Sequence, residues 1–311
     1  KSLIVLQFIV TLGFIFQIGH MYNQFKYMAT ENESFNRKGI FNLAIPTKNL
    51  KLISQAISEN KDVEKIGYTS FPFGGETTKL GVRAQKKGEN QASYYYASDN
   101  NFIENMHLTF LAGQNLPFSS ADSAGNFVVI NEKAVEKLHL GGVNDAIGKT
   151  IFINENIDVQ VIGVVKNFCH FNYQFEIQPL VFQYNPDMFK SMVIQTEGKT
   201  DQAAFETFIE TLWKKQNAYE SVSFSWFEDE MYERYYPAED MKMMGMACLV
   251  ILVIAVMGLL GMVIYTTEKR VKEIGIRKVM GASVMEVVKI LSWSFLKLLL
   301  IAGLIALPIG I

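Results

Sequence analysis

The chain has 311 residues, of which 49% are hydrophobic and only 19% are charged, and its net charge is −2. This composition is more apolar than that of an ordinary soluble domain, and the excess concentrates in three runs that carry at most one charge each. The balance of 29 basic and 31 acidic residues, with no basic patch, argues against nucleic acid as a partner.

The first apolar run is LIVLQFIVTLGFIFQIG, at residues 3–19. As an α-helix it would be roughly 25 Å long, close to the thickness of a hydrocarbon core. The sequence that follows, QIGHMYNQ, lacks the pattern of small residues at which a signal peptide is cleaved. We therefore predict a retained transmembrane helix at residues 1–20.

The long middle region, residues 21–241, predicts a large α+β domain. FNLAIP and VEKIGYTSF read as strands around the amphipathic KNLKLISQAIS, a βαβ-like opening. KLGVRAQ, ASYYYASD and FVVIN then predict a β-rich insertion at about residues 75–177. After the insertion the sequence returns to the mixed strand and helix pattern of the opening part, with PLVFQYN, SMVIQTE, the helix DQAAFETFIETLWKKQN and SVSFSWFED. The prediction is a domain of two lobes, the second of which is the insertion.

The segment GGVNDAIGKT ends like a nucleotide-binding P-loop. A P-loop places a glycine five residues before the last glycine, where this chain has Val143, and it connects a strand to a helix. Here a helical pattern precedes the segment and TIFINENIDVQVIGVV, which is typical of a β-hairpin, follows it. We therefore expect Gly141 to end a helix and Gly148 to start a strand, without ATP binding.

The middle region lacks a convincing catalytic or metal-binding constellation. Its histidines form no HExxH or HxH pattern, and Cys169 and His170, as neighbours on a strand, would face opposite sides. The acidic run Glu228, Asp229 and Glu230 reads as the start of a helix rather than a carboxylate site. We predict no catalytic residue, metal or cofactor. Cys169 is alone in this region, so no disulfide forms within it.

Two polar connections flank the middle region, HMYNQFKYMATENESF and DEMYERYYPAEDMKMM. One interpretation is that they pair as a stalk above the membrane, since Met21, Phe25 and Met28 have helical spacing. The other is that each is an interfacial turn of helix with Tyr22, Tyr235 and Tyr236 as an aromatic belt. The sequence leaves both interpretations open.

Two further transmembrane helices are predicted, at residues 242–266 and 284–311. The run MMGMACLVILVIAVMGLLGMVIY is uncharged, and LSWSFLKLLLIAGLIALPIGI carries only Lys297. The connection at residues 267–283 holds more basic than acidic residues, which places it in the cytoplasm and the middle region outside it. Gly281 suits a helix end, Ser283 and Glu286 form a capping box, and Ile274, Ile276 and Met280 could contact a partner. The alternative is a merely solvated, positively charged loop.

The segment EKRVKEIGIRKVMGAS resembles the motif that follows the second transmembrane helix of MacB/FtsX-type ABC transporter permeases. The stretches VVINEKAVEKLHL, AIGKTIFIN and VIGVVKNFCHF resemble the periplasmic core domain of that family, and FEDEMYERYY resembles its stalk. The resemblance implies that ATP is hydrolysed by a separate subunit and that Lys149 is structural. It also implies a coupling helix and turn that contact this ATPase: Glu273, Ile274, Gly275, Arg277, Lys278, Gly281, Ala282 and Ser283.

The resemblance implies an α-helical, multi-pass permease of the inner membrane, without enzymatic activity of its own. Its implied role is to relay ATP-driven motion to a periplasmic domain, for efflux of a peptide, lipid or drug-like molecule or for control of a periplasmic partner. The implied partners are a cytoplasmic ABC ATPase, a second permease half or protomer, membrane lipid, and a periplasmic or outer-membrane protein. The family has a fourth transmembrane helix, so we expect this sequence to be one half of a tandem permease. A membrane-anchored ligand sensor and an anchored hydrolase are the competing hypotheses.

Overall fold

This computed structural model describes residues 2–30, 35–46, 49–75, 77–118, 124–154, 157–170, 176–216, 221–281 and 283–306. The chain divides into two compact units. The helical unit combines Lys1–Ala29 with Glu233–Ile311, and the α+β unit is formed by Thr30–Tyr232.

Helix α1 runs without a break over Ser2–Thr30, so the first predicted span continues as helix beyond its apolar run. The stretch Val5–Thr30 is long and apolar enough to cross a membrane. Large apolar side chains such as Leu6, Val10 and Phe14 are exposed along it, as suits a helix that contacts lipid.

The α+β unit alternates strands and helices along the chain, and the segments predicted from hydrophobic patterns are confirmed as elements of the predicted type. In order they are β1 (Ile40–Ala44), α2 (Leu50–Ser58), β2 (Val63–Thr69), β3 (Thr78–Arg83), β4 (Gln91–Ala97), α3 (Asn100–Asn105), β5 (Phe110–Gly113), β6 (Phe127–Asn131), α4 (Glu132–Lys137), α5 (Val143–Ala146), β7 (Thr150–Ile153), β8 (Ile157–Val165), β9 (Leu180–Gln183), β10 (Ser191–Thr196), α6 (Gln202–Gln216), β11 (Phe224–Trp226) and α7 (Phe227–Tyr235).

The first sheet has four strands in the order β11-β1-β10-β2. Strands β1 and β2 are both antiparallel to β10, so they run parallel to each other with β10 between them. The βαβ-like opening is therefore a split βαβ unit. Helices α2 and α6 cover one face of this sheet, because their apolar residues share one core with the strands: Phe41, Leu43, Ile53, Ile57, Met192, Ile194, Phe205, Ile209, Trp213 and Trp226.

The second sheet has seven strands in the order β5-β8-β6-β9-β4-β3-β7, and β8 also pairs with β7. This extra pairing closes six of the strands into a barrel and leaves β5 attached outside it to β8. Alternate residues of the six strands point inward and fill the barrel, as expected for a period of two. The inward set includes Val82, Tyr95, Ala97, Val128, Ile130, Ile151, Ile153, Val159, Val161 and Val181.

The end predicted for the insertion, at about residue 177, is wrong. Strand β9 pairs with β4 and β6 inside the second sheet, so this sheet continues to Gln183. The prediction placed PLVFQYN in the first lobe because its apolar run has no feature that distinguishes the two sheets. Pairing between β9 and β4 is parallel and therefore non-local, which a hydrophobic pattern does not encode.

Helix α3 connects the two sheets. Asp99 Oδ1 accepts hydrogen bonds from the backbone N–H of Phe102, at 2.8 Å, and from that of Tyr68 on β2, at 3.0 Å. Asn105 Nδ2 donates to Val193 O on β10 at 2.9 Å. The helix lies so close to β2 that a Cβ atom at Gly67 would meet Phe102 N at 2.4 Å. Buried polar side chains thus fasten this helix to the first sheet.

The C-terminal part of the chain is helical. Helix α7 ends at Tyr235, Pro237 stands at the N-cap of α8 (Ala238–Lys269), and α9 (Val271–Val279) and α10 (Val284–Ala306) follow. The stretch Phe227–Lys269 is the second one that is long and apolar enough to cross a membrane. The third predicted span corresponds to α10, and its crossing of the membrane stays a prediction.

Candidate functional site

The connection between the second and third predicted spans is a short helix rather than an open loop. Helix α8 ends at Lys269, Arg270 interrupts the helical hydrogen bonding, and α9 begins at Val271. Lys269 Nζ lies 4.7 Å from the centroid of the Tyr265 ring, so its charge is held near the end of the second span.

The charged residues of α9 pair along the helix. Arg277 Nη2 donates to Glu273 Oε1 at 2.8 Å, an i,i+4 ion pair with both side chains partly exposed. Such a pair contributes only about 0.3–0.5 kcal/mol to the helix. Both groups therefore remain accessible to a partner at small energetic cost.

Apolar side chains of the same helix are strongly exposed. Ile276 is 62% exposed, Met280 82% and Val279 89%, and Val271 joins them at 59%. At 100° per residue these four positions fall on one half of the helix, whereas Glu273 lies beyond its edge. A cluster of exposed aliphatic residues on a short charged helix is typical of a protein-contact surface.

The turn after α9 has the predicted chemistry. Gly281 has φ +94°, a left-handed conformation that favours glycine at the end of a helix. Ser283 and Glu286 form the predicted capping box at the start of α10: Ser283 N donates to Glu286 Oε2 at 2.9 Å, and Glu286 N donates to Ser283 Oγ at 3.2 Å. Gly281 thus follows the end of α9, and the capping box begins α10.

The predicted coupling residues Glu273, Ile274, Gly275, Arg277 and Lys278 all lie on α9, and Gly281 and Ser283 lie in the turn. Ala282 falls outside the described residues. Ile274 is only half-exposed, so it contributes less to the exposed apolar face than expected. The sequence prediction omitted Val271 and Val279. Val279 lies three residues after Ile276, a helical spacing that could have identified it, whereas Val271 lies five residues before Ile276 and has no such signal.

The α+β unit contains a buried titratable group, His170, among aromatic side chains. His170 lies in an aromatic box, with its ring centroid 4.7 Å from that of Tyr94, 5.7 Å from that of Tyr96 and 5.9 Å from that of Phe168. Burial, with a smaller contribution from the charge of the nearby Lys79, lowers the pKa of His170 to about 4. The imidazole is therefore neutral at neutral pH and a weak general base.

Cys169 precedes His170 in an irregular segment, not in a strand as predicted. The argument from opposite faces of a strand is therefore wrong, and it is the burial of His170 that argues against the pair as a nucleophile and base. Among the described residues, no three His, Cys, Asp or Glu side chains are placed to hold a metal ion together.

The acidic run at residues 228–230 forms the first turn of α7, as predicted. Glu230 Oε2 accepts hydrogen bonds from Asn42 Nδ2 at 3.2 Å and from Ser225 Oγ at 3.0 Å. These donors stand on β1 and β11, so the carboxylate joins the start of α7 to the first sheet. The interactions are those of a structural residue.

The Gly-Lys-Thr segment has a structural geometry as well. Lys149 Nζ donates to Leu140 O at 2.6 Å, so the lysine is engaged within its own loop. Gly148 has φ +82° and leads into β7, as expected. The prediction for Gly141 is wrong, because His139, with φ 52°, takes the left-handed position after α4 and Leu140 N closes the helix by donating to Val135 O at 3.0 Å.

The two ends of the α+β unit meet in an aromatic core. The Phe35 ring, just before β1, lies 6.0 Å from that of Phe227, just after β11, and 5.3 Å from that of Phe73, all centroid to centroid. Phe168 packs on Phe73 at 5.1 Å and stacks on Phe182 of β9 at 6.4 Å. This core therefore includes rings from both chain ends and from the second sheet.

Comparisons with known proteins identify two sequence families. The family model of the MacB-like periplasmic core domain matches residues 12–212, and that of the FtsX-like permease C-terminal domain matches residues 245–311. No curated protein matches the chain in sequence.

Solved structures of low sequence identity resemble the chain. The periplasmic region of MacB from Actinobacillus actinomycetemcomitans is 11% identical, with a TM-score of 0.48 over 69% of this chain and 96% of that chain. The extracellular domain of the noncanonical ABC-type transporter YknZ from Gram-positive bacteria is 14% identical, with a TM-score of 0.41 over 60% of this chain and 97% of that chain.

Proposed function

The chain belongs to the MacB/FtsX-type ABC permeases, and on this premise we propose that it relays the motion of a cytoplasmic ABC ATPase to its α+β unit outside the cytoplasm. The observation that carries the proposal is the exposed aliphatic face of α9, which includes Ile276, Val279 and Met280. In water these side chains are costly to expose, and a protein groove that covers them would stabilise the complex.

The turn after α9 supports a mechanical role for the helix. Gly281 and the capping box of Ser283 with Glu286 connect α9 to α10 over few residues. A short, hydrogen-bonded connection transmits a displacement, whereas a long flexible loop absorbs it. In this proposal the ATPase contacts Glu273, Ile274, Gly275, Arg277, Lys278, Gly281, Ala282 and Ser283, and the four exposed aliphatic residues complete the surface.

The architecture of the α+β unit suits the receiving end of such a relay. The chain enters this unit ahead of β1 and leaves it after β11, and these strands are neighbours, with Phe41 opposite Trp226. A movement of the entering and leaving segments therefore acts on one sheet. The proposed outcome is efflux or export of a peptide, lipid or drug-like molecule already outside the cytoplasm, or control of a periplasmic partner, without a polar path through the bilayer.

The absence of buried charge in the apolar runs supports motion rather than polar transport through the spans. Lys297 is the single charged residue in the three runs. It is exposed, and its Nζ lies 5.7 Å from the centroid of the Trp293 ring on the same helix. Ionisable residues that line a transport path face a bundle interior and pair with one another.

The proposal is tested by purifying the full-length protein from native membranes in mild detergent and identifying the bound proteins by mass spectrometry. We expect a stoichiometric ABC ATPase subunit. Val279→Asp should reduce its recovery and the ATP hydrolysis of the complex by at least about tenfold, because the variant buries a charge in the apolar contact. Leu52→Asp is the matched control, since Leu52 is 56% exposed on α2 in the other unit.

A second pair of variants separates docking from helix stability. Glu273→Arg alone breaks the ion pair with Arg277 and reverses a charge, whereas Glu273→Arg with Arg277→Glu restores an intrahelical pair. We expect both to weaken ATPase recovery if the charges contact the ATPase. Unchanged recovery in every α9 variant would overturn the coupling assignment, and a bound kinase or regulator in place of an ATPase would favour the sensor hypothesis.

A further inference from the structure

A cavity of about 580 Å³ opens at one end of the six-stranded barrel. Residues just before β6, at the ends of β7 and β9 and at the start of β8 line it. Helix α4 follows the opposite end of β6, and its Ala134 and Leu138 pack into the barrel core there. The barrel is therefore filled and closed at one end and open at the other, where small-molecule sites of barrels occur.

Apolar side chains and uncharged polar side chains both line the cavity, as far as the structure describes its walls. Ile153 belongs to the barrel core and lies at the bottom of the cavity, and Ile157 is 51% exposed at its rim. Leu80 and Met188 line other parts of the wall. None of the described residues that line the cavity carries a charge; they are Leu80, Tyr95, Gly125, Asn126, Ile153, Asn154, Ile157, Gln183, Tyr184, Asn185, Pro186 and Met188. Such walls favour an uncharged ligand, because a charge would lose its hydration without gaining a counter-charge.

A directed chain of hydrogen bonds crosses the floor of the cavity. Gly125 O only accepts, so Gln183 must direct its amide NH₂ to it, at 2.6 Å, and its Oε1 to Tyr95. The Tyr95 hydroxyl therefore donates to Gln183 Oε1, at 2.9 Å, and Asn185 hydrogen-bonds to the same hydroxyl. Burial raises the pKa of Tyr95, which keeps this hydroxyl protonated and able to donate.

This chain of bonds has hydrogen-bonding capacity left for a ligand. The Gln183 amide has a second N–H and its oxygen a second lone pair, while Asn126 and Asn154 add amide groups to the wall. Donors and acceptors thus lie side by side, which matches an amide or a hydroxyl, each of which both donates and accepts. A carboxylate only accepts and an ammonium group only donates.

We propose that the mouth of this barrel binds an uncharged molecule with an apolar body and an amide or hydroxyl end group. The polar end lies against Gln183 and Tyr95, and the apolar body covers Ile153, Ile157 and Leu80. The cavity volume falls within the range of about 300–1,000 Å³ typical of small-molecule sites. This site stands on the barrel geometry and not on the proposed contact of α9 with an ATPase.

The test is photo-labelling of the full-length protein in lipid nanodiscs, with the labelled peptides mapped by mass spectrometry. The probes are octanamide with a diazirine on its chain and octanoate with the same chain. We expect the amide to label the peptides that contain Ile153, Ile157 and residues 184–188, and the carboxylate to label them at least about tenfold less. Equal labelling by the two probes, or label confined to the membrane helices, would overturn the proposal.

Three variants locate the site. Ile157→Asp places a charge at the rim and should reduce amide labelling of these peptides about tenfold. Leu111→Asp is the matched control, because Leu111 is 42% exposed on β5, outside the cavity, and we expect no reduction. Tyr95→Phe should reduce the preference for amide over carboxylate by about three- to tenfold while retaining the apolar walls. Identical labelling of the Ile157 and Leu111 variants would also overturn the proposal.

Discussion

Phe35 and Phe227 stand near opposite ends of the chain of the α+β unit, and their ring centroids lie 6.0 Å apart. Both rings are buried, with 5% and 1% of their surface exposed. Since Phe35 leads into β1 and Phe227 follows β11, the contact fastens the two segments through which the unit is connected to the rest of the chain. Separating these segments would open a buried aromatic contact.

We predict that Phe227→Ala lowers the free energy of unfolding of residues 30–232 by about 3–5 kcal/mol, through the cavity that it leaves. With Phe35→Ala in a double-mutant cycle, the pair should show a coupling of about 0.5–1.5 kcal/mol. Denaturant unfolding followed by circular dichroism gives these values. Leu52→Ala, at an exposed position, should change stability by less than about 0.5 kcal/mol. Strictly additive losses would show that the two rings are not coupled.

The buried Asp99 predicts a pH-dependent stability. Burial, with a smaller contribution from Glu104, raises the pKa of Asp99 to about 6, against the opposing backbone hydrogen bonds from Tyr68 and Phe102. A carboxyl group whose pKa is raised in the folded state stabilises that state at low pH, and this contribution is lost as the pH rises through about 6. The rise of the pKa from its ordinary value of 3.8 to about 6 corresponds to a contribution of about 3 kcal/mol to the free energy of unfolding, over the full pH range of the titration.

His170 opposes this effect. Its pKa is lowered to about 4, so the folded state loses stability as the pH falls from about 6.5 towards 4. The two contributions overlap, and we expect the stability of the native α+β unit to change little between pH 6 and pH 4. Asp99→Asn keeps an acceptor oxygen but does not titrate, so this variant should lose about 2 kcal/mol more than the native unit over that interval. Parallel pH profiles of the two proteins would contradict the assignment to Asp99.

The sequence predicts much of the local secondary structure but little of how the strands pair. Short runs rich in β-branched and aromatic residues predicted β3, β4 and β6, and the helical spacing of Phe205, Ile209 and Leu212 predicted α6, because these signals lie in neighbouring residues. The closure of the barrel depends on β8 pairing with β7 and β6 at once, and the position of β9 depends on parallel contact with β4. Such contacts join distant parts of the chain and leave no periodic signal.

Sequence analysis could predict the turn of the candidate coupling surface, at Gly281 and Ser283, but not the exposed face of α9. Glycine at a left-handed position and a Ser-x-x-Glu capping box are local rules, and the structure confirms both at Gly281 and Ser283. Exposure of Val279, in contrast, depends on what packs around the helix. The barrel mouth at Tyr95 and Gln183 was also missed, because these residues are far apart in sequence and meet only when the barrel closes.

We predict that Gly67→Ala destabilises the α+β unit by about 3 kcal/mol. The added Cβ would lie 2.4 Å from Phe102 N and 2.6 Å from Phe102 Cα, which belong to the backbone of α3 and cannot turn aside. Gly198→Ala is the matched control, since nothing lies within 4 Å of its Cβ position. Denaturant midpoints of the two variants measure the difference. A Gly67 variant as stable as the Gly198 variant would show that α3 shifts freely on β2.

In the helical unit, Gln7 should hold α1 against α8. Gln7 Nε2 donates to Ile254 O at 2.9 Å, and Gly258 leaves room for the contact, since a Cβ there would lie 2.6 Å from Gln7 Oε1. An amide within an apolar span finds few other partners, and hydrogen bonds between membrane helices contribute about 0.6–2 kcal/mol. We therefore predict that Gln7→Leu lowers the stability of the full-length protein by about 1 kcal/mol, measured by SDS-induced unfolding in bicelles.

Thr11→Val serves as the matched control for Gln7→Leu. Thr11 Oγ1 donates to Gln7 O, at 2.8 Å, within its own helix, and valine has the same shape without the hydroxyl. Its removal costs no contact between helices, so we expect a change of less than about 0.5 kcal/mol. Equal losses in both variants would mean that the amide of Gln7 adds nothing to the packing of α1 on α8. A larger loss for Gln7→Leu alone would place a specific polar contact between the first two spans.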